Sequence, residues 1–398
     1  MFGAIIGDIT GMKYENTNEI IDENKIELLD RNSSITDDTI MSIAVAESLA
    51  ENWGRKSDEI KESIADNMKK YVRIFPDAGY GEKFKEWALS DSNEGYESYG
   101  NGSAMRCSCV GWMAENLNDV NIYARLSAEV THNSSIGIKG AQALASAVFL
   151  ARNGCGKRVI QKYLNNEYGI KIISYSDLIT ENPADRDYNA VNTVTYSMSA
   201  FMSGENFEDV IKKAVALGGD TDTKASIAGS IAEAYYGIDE NVKSEAEKFI
   251  PEELKKGLNE YKYYMMMKNI KRLNVYKELT KDIEFFKKKS EETRKKRVPI
   301  FMQQWDETPV EIEELVKCVD KEEIIDRGYV DTIELHNLCM DFDVYKRNAD
   351  EAGIYLLRAM LTSIVKQEIF NRGIIDEACE KGVIYSILNS MDKIINKK

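Results

Sequence analysis

"SSITDDTIMSIAVAESLAENWG", residues 33–54, sets Thr36, Asp37, Asp38 and Thr39 directly before an apolar run that Gly54 closes. The run predicts a helix over 40–53. Thr and Asp are favoured N-caps, and acids in a first turn suit the positive end of the helix dipole. Capping accounts for one or two of the four residues. It does not account for two adjacent carboxylates, which repel each other unless a positive charge lies between them. An ordinary cap and half of a metal site are both open readings of this stretch alone.

A second stretch has the same grammar. In "LGGDTDTKASIAGS", residues 217–230, Asp220, Thr221, Asp222 and Thr223 precede a helix expected over 223–236 and ended by Gly237. Gly218 and Gly219 permit a tight turn before it. Brought together, the two stretches offer four carboxylates, enough to hold a pair of divalent cations. The chain has two histidines, His132 and His336, so a histidine-rich transition-metal site is not available. Any metal here is a hard cation with oxygen ligands.

Two weaker signals lie between them. "SYGNGSAMR", residues 98–106, is a Gly-Asn-Gly loop, either a plain turn or a ring of backbone N–H groups around a phosphate. In "EVTHNSSIGIKGAQA", residues 129–143, His132 stands just ahead of a helix start, as a capping or core residue or as part of a site.

The chain of 398 residues suggests two or three domains, and its 43% apolar residues can bury a sizeable core. Five prolines leave little to interrupt helices. A net charge of −15 argues against general nucleic-acid binding. No run is long enough to span a bilayer, and Asp8 interrupts the apolar N-terminal stretch, so we expect neither membrane span nor signal peptide. Cys107, Cys109, Cys155, Cys318, Cys339 and Cys379 are scattered and read as reduced thiols of a cytoplasmic protein. Cys318, Cys339 and His336 lack zinc-site spacing and read as core or surface residues.

Gly3, Gly7 and Gly11 recur every four residues and predict a helix over 1–15 with a smooth stripe for another backbone. Asp8 and Glu15 would share one of its faces. Helices are also expected over 57–74, 119–130, 134–152, 156–168 and 207–217, with loops over 77–103 and 169–190. Asn206 and Asp209 have the spacing of a capping box. Residues 281–297 hold eight Lys or Arg among four acids and read as a charged connector. Amphipathic helices return over 310–396.

In this order the motifs resemble the ADP-ribosylglycohydrolase family: G-D-x-x-G-x-x-x-E (Gly7 to Glu15), T-D-D-T (36–39), Y-G-N-G-S-A-M-R (99–106), T-H-N (131–133) and G-G-D-T-D-T (218–223). The resemblance covers residues 1 to about 262. It implies an all-α, compact multi-helix catalytic domain over 1–265; beyond it, composition and patterning alone give a charged helical connector over 266–298 and a helical domain over 299–398, a C-terminal helical extension on which the resemblance is silent. The resemblance further implies a binuclear Mg²⁺ centre, with Mn²⁺ as the alternative, held by Thr36, Asp37, Asp38, Asp220, Asp222 and Thr223. Asp8 would support that centre from behind. Ser98, Tyr99, Gly100, Asn101 and Gly102 match the loop that holds a pyrophosphate, with His132 nearby. Glu15, Asp37 and Asp222 would carry the chemistry. Two departures stand out: Ser134 and Ser135 follow T-H-N in place of His-Pro, and 187–201 lacks the family's Cys-Gln and Pro.

The expected activity is metal-dependent hydrolysis of the N-glycosidic bond between ADP-ribose and a protein side chain, arginine first. The rivals are a two-metal hydrolase of O-linked ADP-ribose or a related nucleotide, and a non-catalytic ADP-ribose-binding protein. The expected partners are an ADP-ribosylated protein and ADP-ribose. The C-terminal helices would serve protein recognition or self-association.

Overall fold

The computed structural model describes residues 1–15, 17–273, 276–277, 280–281, 315, 319, 329–336, 338–339, 341–370 and 373–396. The chain divides into two units, Met1–Tyr261 and Lys262–Lys398. Among the described residues fifteen α-helices carry the chain to residue 272: α1 (Phe2–Met12), α2 (Asp37–Asn52), α3 (Ser57–Ile74), α4 (Glu82–Leu89), α5 (Gly102–Met105), α6 (Ser108–Met113), α7 (Leu117–Glu129), α8 (Ser135–Arg152), α9 (Lys157–Tyr168), α10 (Tyr175–Leu178), α11 (Ala190–Ser203), α12 (Phe207–Ala216), α13 (Thr221–Tyr236), α14 (Glu240–Glu247) and α15 (Glu252–Arg272). No strand forms among the described residues, and the fold is all-α. Two isolated bridges, Thr17 to Gly219 and Gly100 to Asn189, pin loops together.

The glycine stripe determines how the first unit is centred. Gly3, Gly7 and Gly11 lie against the backbone of α13. A Cβ on Gly3 would stand 2.1 Å from the Gly229 carbonyl oxygen, and one on Gly7 would stand 2.1 Å from that of Ala225. Every residue of α13 from Thr221 to Glu233 is buried. Its Ala, Ser and Gly side chains leave no ridge to hold a neighbour away. α12 and α11 pack on α13 as well, and α2 packs on α1 and α3. The starts of α2 and α13 are thereby brought near one another at the cavity described below.

Several expectations need correction. α1 ends at Met12, and Glu15 sits in the turn beyond it, so Asp8 and Glu15 do not share a helix face. The chain needs that turn to reach the Thr17–Gly219 bridge. The stretch 77–103 is not all loop. It contains α4, whose Phe84, Trp87 and Ala88 form a short buried stripe. The loop at 169–190 contains α10 and a 3₁₀ turn at Pro183–Asp185. α2 and α13 begin at Asp37 and Thr221, two or three residues earlier than their apolar runs, so the acids fall inside the first turns. The capping box at α12 is modified: Asn206 accepts the Asp209 N–H at 2.9 Å, while Asp209 accepts that of Glu205 at 2.8 Å.

The second unit has its own apolar core. Tyr345, Leu357, Met360, Ile364, Ile384 and Ile387 are buried together. Its described helices are Tyr329–Leu335, Phe342–Asn348, Ile354–Phe370, Ile374–Glu380 and Val383–Ile395. Cys339 and His336 are exposed. Most of the charged connector, together with Pro299, Pro309 and Cys318, lies outside the described residues. No described helix is long and apolar enough to cross a membrane.

Gly7→Ala should lower stability by about 1–3 kcal/mol through overpacking, a loss of several degrees in melting temperature. Gly156→Ala, where an added Cβ meets nothing within 4 Å, is the control. Equal melting temperatures for the two variants would contradict the close approach of α1 and α13.

Candidate active site

Thr36 is the N-cap of α2, and its hydroxyl oxygen accepts the Asp38 N–H at 3.2 Å. The same hydroxyl donates to Asp8 Oδ1 at 2.7 Å. Asp8 Oδ2 accepts the N–H groups of Thr36 at 3.0 Å and Thr39 at 3.1 Å. A carboxylate from α1 therefore completes the cap of α2, which leaves Asp37 and Asp38 without capping duty. At the other helix start Asp220 is the N-cap but makes no capping bond of its own. Gly218 and Gly219, at φ 66° and 69°, turn the chain into it. These left-handed angles favour glycine.

Two hydrogen bonds tie the pieces together. The Thr223 hydroxyl donates to Asp38 Oδ2 at 3.0 Å, joining the two acidic stretches. Asn101 Nδ2 donates to Asp220 Oδ2 at 2.6 Å, joining the Gly-Asn-Gly loop to the second stretch.

The acids repel. Burial pushes the Asp38 and Asp222 carboxyls well above the usual range, and their carboxylate neighbours push them further. Asp37 is pushed up to about 8 by burial, then by Asp8 and Asp220. Asp38 Oδ1 and Asp222 Oδ1 are buried with no hydrogen-bond partner. Unpaired buried acceptors are costly, and a positive charge is what this group lacks. Among the described residues no three His, Cys, Asp or Glu side chains are gathered as a finished metal cage. The donor set, all oxygen with two orphaned atoms, fits a hard divalent cation.

The site opens into a cavity of about 730 Å³, within the size range of small-molecule sites. Glu15, Asp37, Asp38, Asp220, Asp222 and Thr223 line it, as do Ser98, Gly100, Asn101, Gly102 and His132. Two expected site residues are not in its wall. Thr36 is turned to Asp8. Tyr99 is 51% exposed, with its hydroxyl donating to Glu97 at 2.8 Å.

His132 does not cap α8, because Ser134 does, accepting the Gly137 N–H at 3.0 Å. Instead its ring lies against the glycine loop: a Cβ on Gly102 would stand 3.2 Å from Nε2. Nδ1 is 2.8 Å from the Thr131 hydroxyl. Burial, then Arg106, hold its pKa well below the ordinary value, so the imidazole is neutral at pH 7.

Several wall residues lie outside the motifs' expected site residues. Arg106 closes the Y-G-N-G-S-A-M-R motif, and its guanidinium donates to the Gly102 carbonyl at 3.0 Å and to Thr131 Oγ1 at 2.9 Å. It thus links the glycine loop to T-H-N, and burial lowers its pKa to about 10. Gly81, Glu82, Lys83 and Phe84 come from the start of α4, within the stretch expected as loop. Tyr188 and Arg186 come from the irregular stretch before α11 and carried no readable signal. Behind the wall, wholly buried Lys224 donates to the Gly218 carbonyl. Burial brings its pKa down to about 7, against the opposing pull of Asp220.

The ADP-ribosylglycohydrolase family profile matches residues 1–284, and a profile for a family of unknown function, DUF6508, matches 265–397. The mouse protein "ADP-ribosylhydrolase ARH3" is 27% identical over 310 residues, 60% of this chain and 83% of the relative. The Rhodospirillum rubrum "ADP-ribosyl-(dinitrogen reductase) glycohydrolase" is 26% identical over 215 residues, 52% and 70% of the two chains. A solved structure described as "ADP-ribosylglycohydrolase-related protein complex" aligns at TM-score 0.46 and 23% identity, over 62% of this chain and 95% of that one.

The raised Asp37 pKa has a consequence for stability. Between the unfolded carboxyl value near 4 and about 8, the folded protein holds a proton that the unfolded chain has released. The contribution of Asp37 to stability is therefore greatest at low pH and falls as pH rises through that window. In chelator, Asp37→Asn should melt above wild type at pH 8, and the gain should vanish towards pH 4. A variant that melts below wild type at pH 8 would contradict the repulsion.

Proposed function

Because the chain belongs to the ADP-ribosylglycohydrolase family, and is by that membership a hydrolase of ADP-ribose conjugates, we propose that it cleaves the N-glycosidic bond joining ADP-ribose to a protein arginine. The observation that supports this is the junction itself. Thr223–Asp38 and Asn101–Asp220 gather two carboxylate pairs and a glycine loop around one cavity.

In this reading Asp37, Asp38, Asp220 and Asp222, with Thr36 and Thr223, hold two Mg²⁺ ions, or Mn²⁺ in their place. Thr36 keeps one lone pair for that duty after accepting the Asp38 N–H. Such a pair of ions, when bound, orients ribose hydroxyls and acidifies a water. The loop from Ser98 to Gly102 takes the pyrophosphate on backbone N–H groups, and neutral His132 adds one polar ring nitrogen without adding charge. Glu15 lines the cavity close enough to Asp37 and Asp222 to act on their charge, and in this reading it serves the bond that breaks. Hydrolysis places a hydroxyl on the anomeric carbon and returns a proton to the departing guanidine nitrogen. The transition state is oxocarbenium-like, and surrounding carboxylates stabilise its positive charge.

Single-turnover release of free ADP-ribose from an ADP-ribosyl-arginine protein should need Mg²⁺ and stop with chelator. Asp37→Asn and Asp222→Asn should each lower it by ~100-fold or more with the fold intact. Release from a serine-linked conjugate alone would move the reaction to the O-linked class. Tight ADP-ribose binding with no release from either would make the protein a reader.

A further inference from the structure

A second concavity lies on α9. Arg158, Gln161, Lys162 and Asn165 recur at three- and four-residue intervals and so share one face of that helix. Gly169, at φ 68°, ends the helix and donates its N–H to the Asn165 carbonyl at 3.0 Å. That left-handed turn brings Ile170, Lys171 and Ile172 back alongside the same face. Together these residues line an open depression of about 420 Å³. It shares no residue with the cavity of the active site.

Its charge runs against that of the protein. The chain carries −15 overall, yet residues 157–171 hold Lys157, Arg158, Lys162 and Lys171 against one acid, Glu167. Lys157 is turned inward and donates to the Met202 and Gly204 carbonyls. The other three cations form no ion pair among the described residues. Several other lysines of this unit pair with acids along their own helix, as Lys212 does with Glu208, Lys213 with Asp209 and Lys243 with Glu240. Three unpaired cations around one depression create a local positive potential that an anion would relieve.

We propose that this depression is a second binding site, for a small phosphorylated ligand of nucleotide size. The Arg158 guanidinium offers a planar fork for phosphate oxygens, and Lys162 and Lys171 add point charges. The amides of Gln161 and Asn165 supply donors and acceptors for a sugar or base. Buried Ile170 gives the depression an apolar floor. A small ligand fits better than a polynucleotide, because three cations on a chain of −15 are a poor track for a long polyanion.

The test is calorimetric titration of the full chain, in chelator and low salt, with inorganic pyrophosphate and separately with ADP. Wild type should show a saturable site for pyrophosphate in addition to the loop of Ser98 to Gly102. The Arg158→Glu/Lys162→Glu variant should weaken it by about tenfold or more while melting temperature and hydrolytic activity stay unchanged. Lys171→Glu, in the turn rather than the helix, should weaken it independently. ADP binding better than pyrophosphate, with the difference lost in Gln161→Ala, would identify a nucleotide ligand. Equal binding would identify phosphate recognition alone, and either result supports the site. Absence of saturable binding, or binding untouched by charge reversal, would overturn it. A single-stranded oligonucleotide bound more tightly than both ligands would also overturn it, in favour of a polynucleotide surface.

Discussion

The contact between α1 and α13 is the constraint on which the rest of this unit depends. Three glycines remove the side chains that would separate the two backbones. With α1 held there, Asp8 reaches the start of α2 and takes over its cap through three hydrogen bonds. Asp37 and Asp38 are thereby released from the ordinary task of helix-start acids. The Thr221 hydroxyl, donating to the Gly11 carbonyl at 2.8 Å, fixes the start of α13 against the end of α1. Packing in the core therefore sets the position of polar groups at the cavity. Each acid rides on a helix start, which is rigid enough to hold a functional group in place.

That arrangement is costly without a counter-charge. Burial and mutual repulsion raise the carboxyl pKa values, and two carboxylate oxygens are orphaned. Functional sites commonly carry such local conflict against the stability of the fold. In the account proposed above, divalent cations resolve it, and the same charges then serve hydrolysis of an ADP-ribose conjugate. The glycine loop completes the wall through Asn101, which bonds Asp220, and through Arg106, which fastens the loop to Thr131 and so to His132.

Much of this was legible in the sequence. The glycine spacing announced a close backbone approach, and the repeated acid-threonine grammar announced two matching helix starts. Both are local patterns. What was not legible depended on tertiary contacts. Glu15 leaves the helix in a turn that leads to Thr17, which pairs with Gly219 some two hundred residues away. Asp8 reads as an incidental buried acid until its three hydrogen bonds to Thr36 and Thr39 are seen. α4 is short, and its stripe of Phe84, Trp87 and Ala88 was masked by the glycines and serines around it. Tyr188 and Arg186 reach the cavity from a stretch with no periodicity at all. Lys224 sits inside a small-residue helix where its hydrogen bond to Gly218 cannot be guessed from spacing.

The central claim is that the two acidic helix starts form one divalent-cation site. Its most direct test is the number of Mn²⁺ ions bound at equilibrium, counted by electron paramagnetic resonance. The account predicts two ions per chain, with binding impaired alike by Asp38→Ala in the first stretch and Asp220→Ala in the second. Binding that survives either substitution unchanged, or no binding by the wild-type chain, would contradict it.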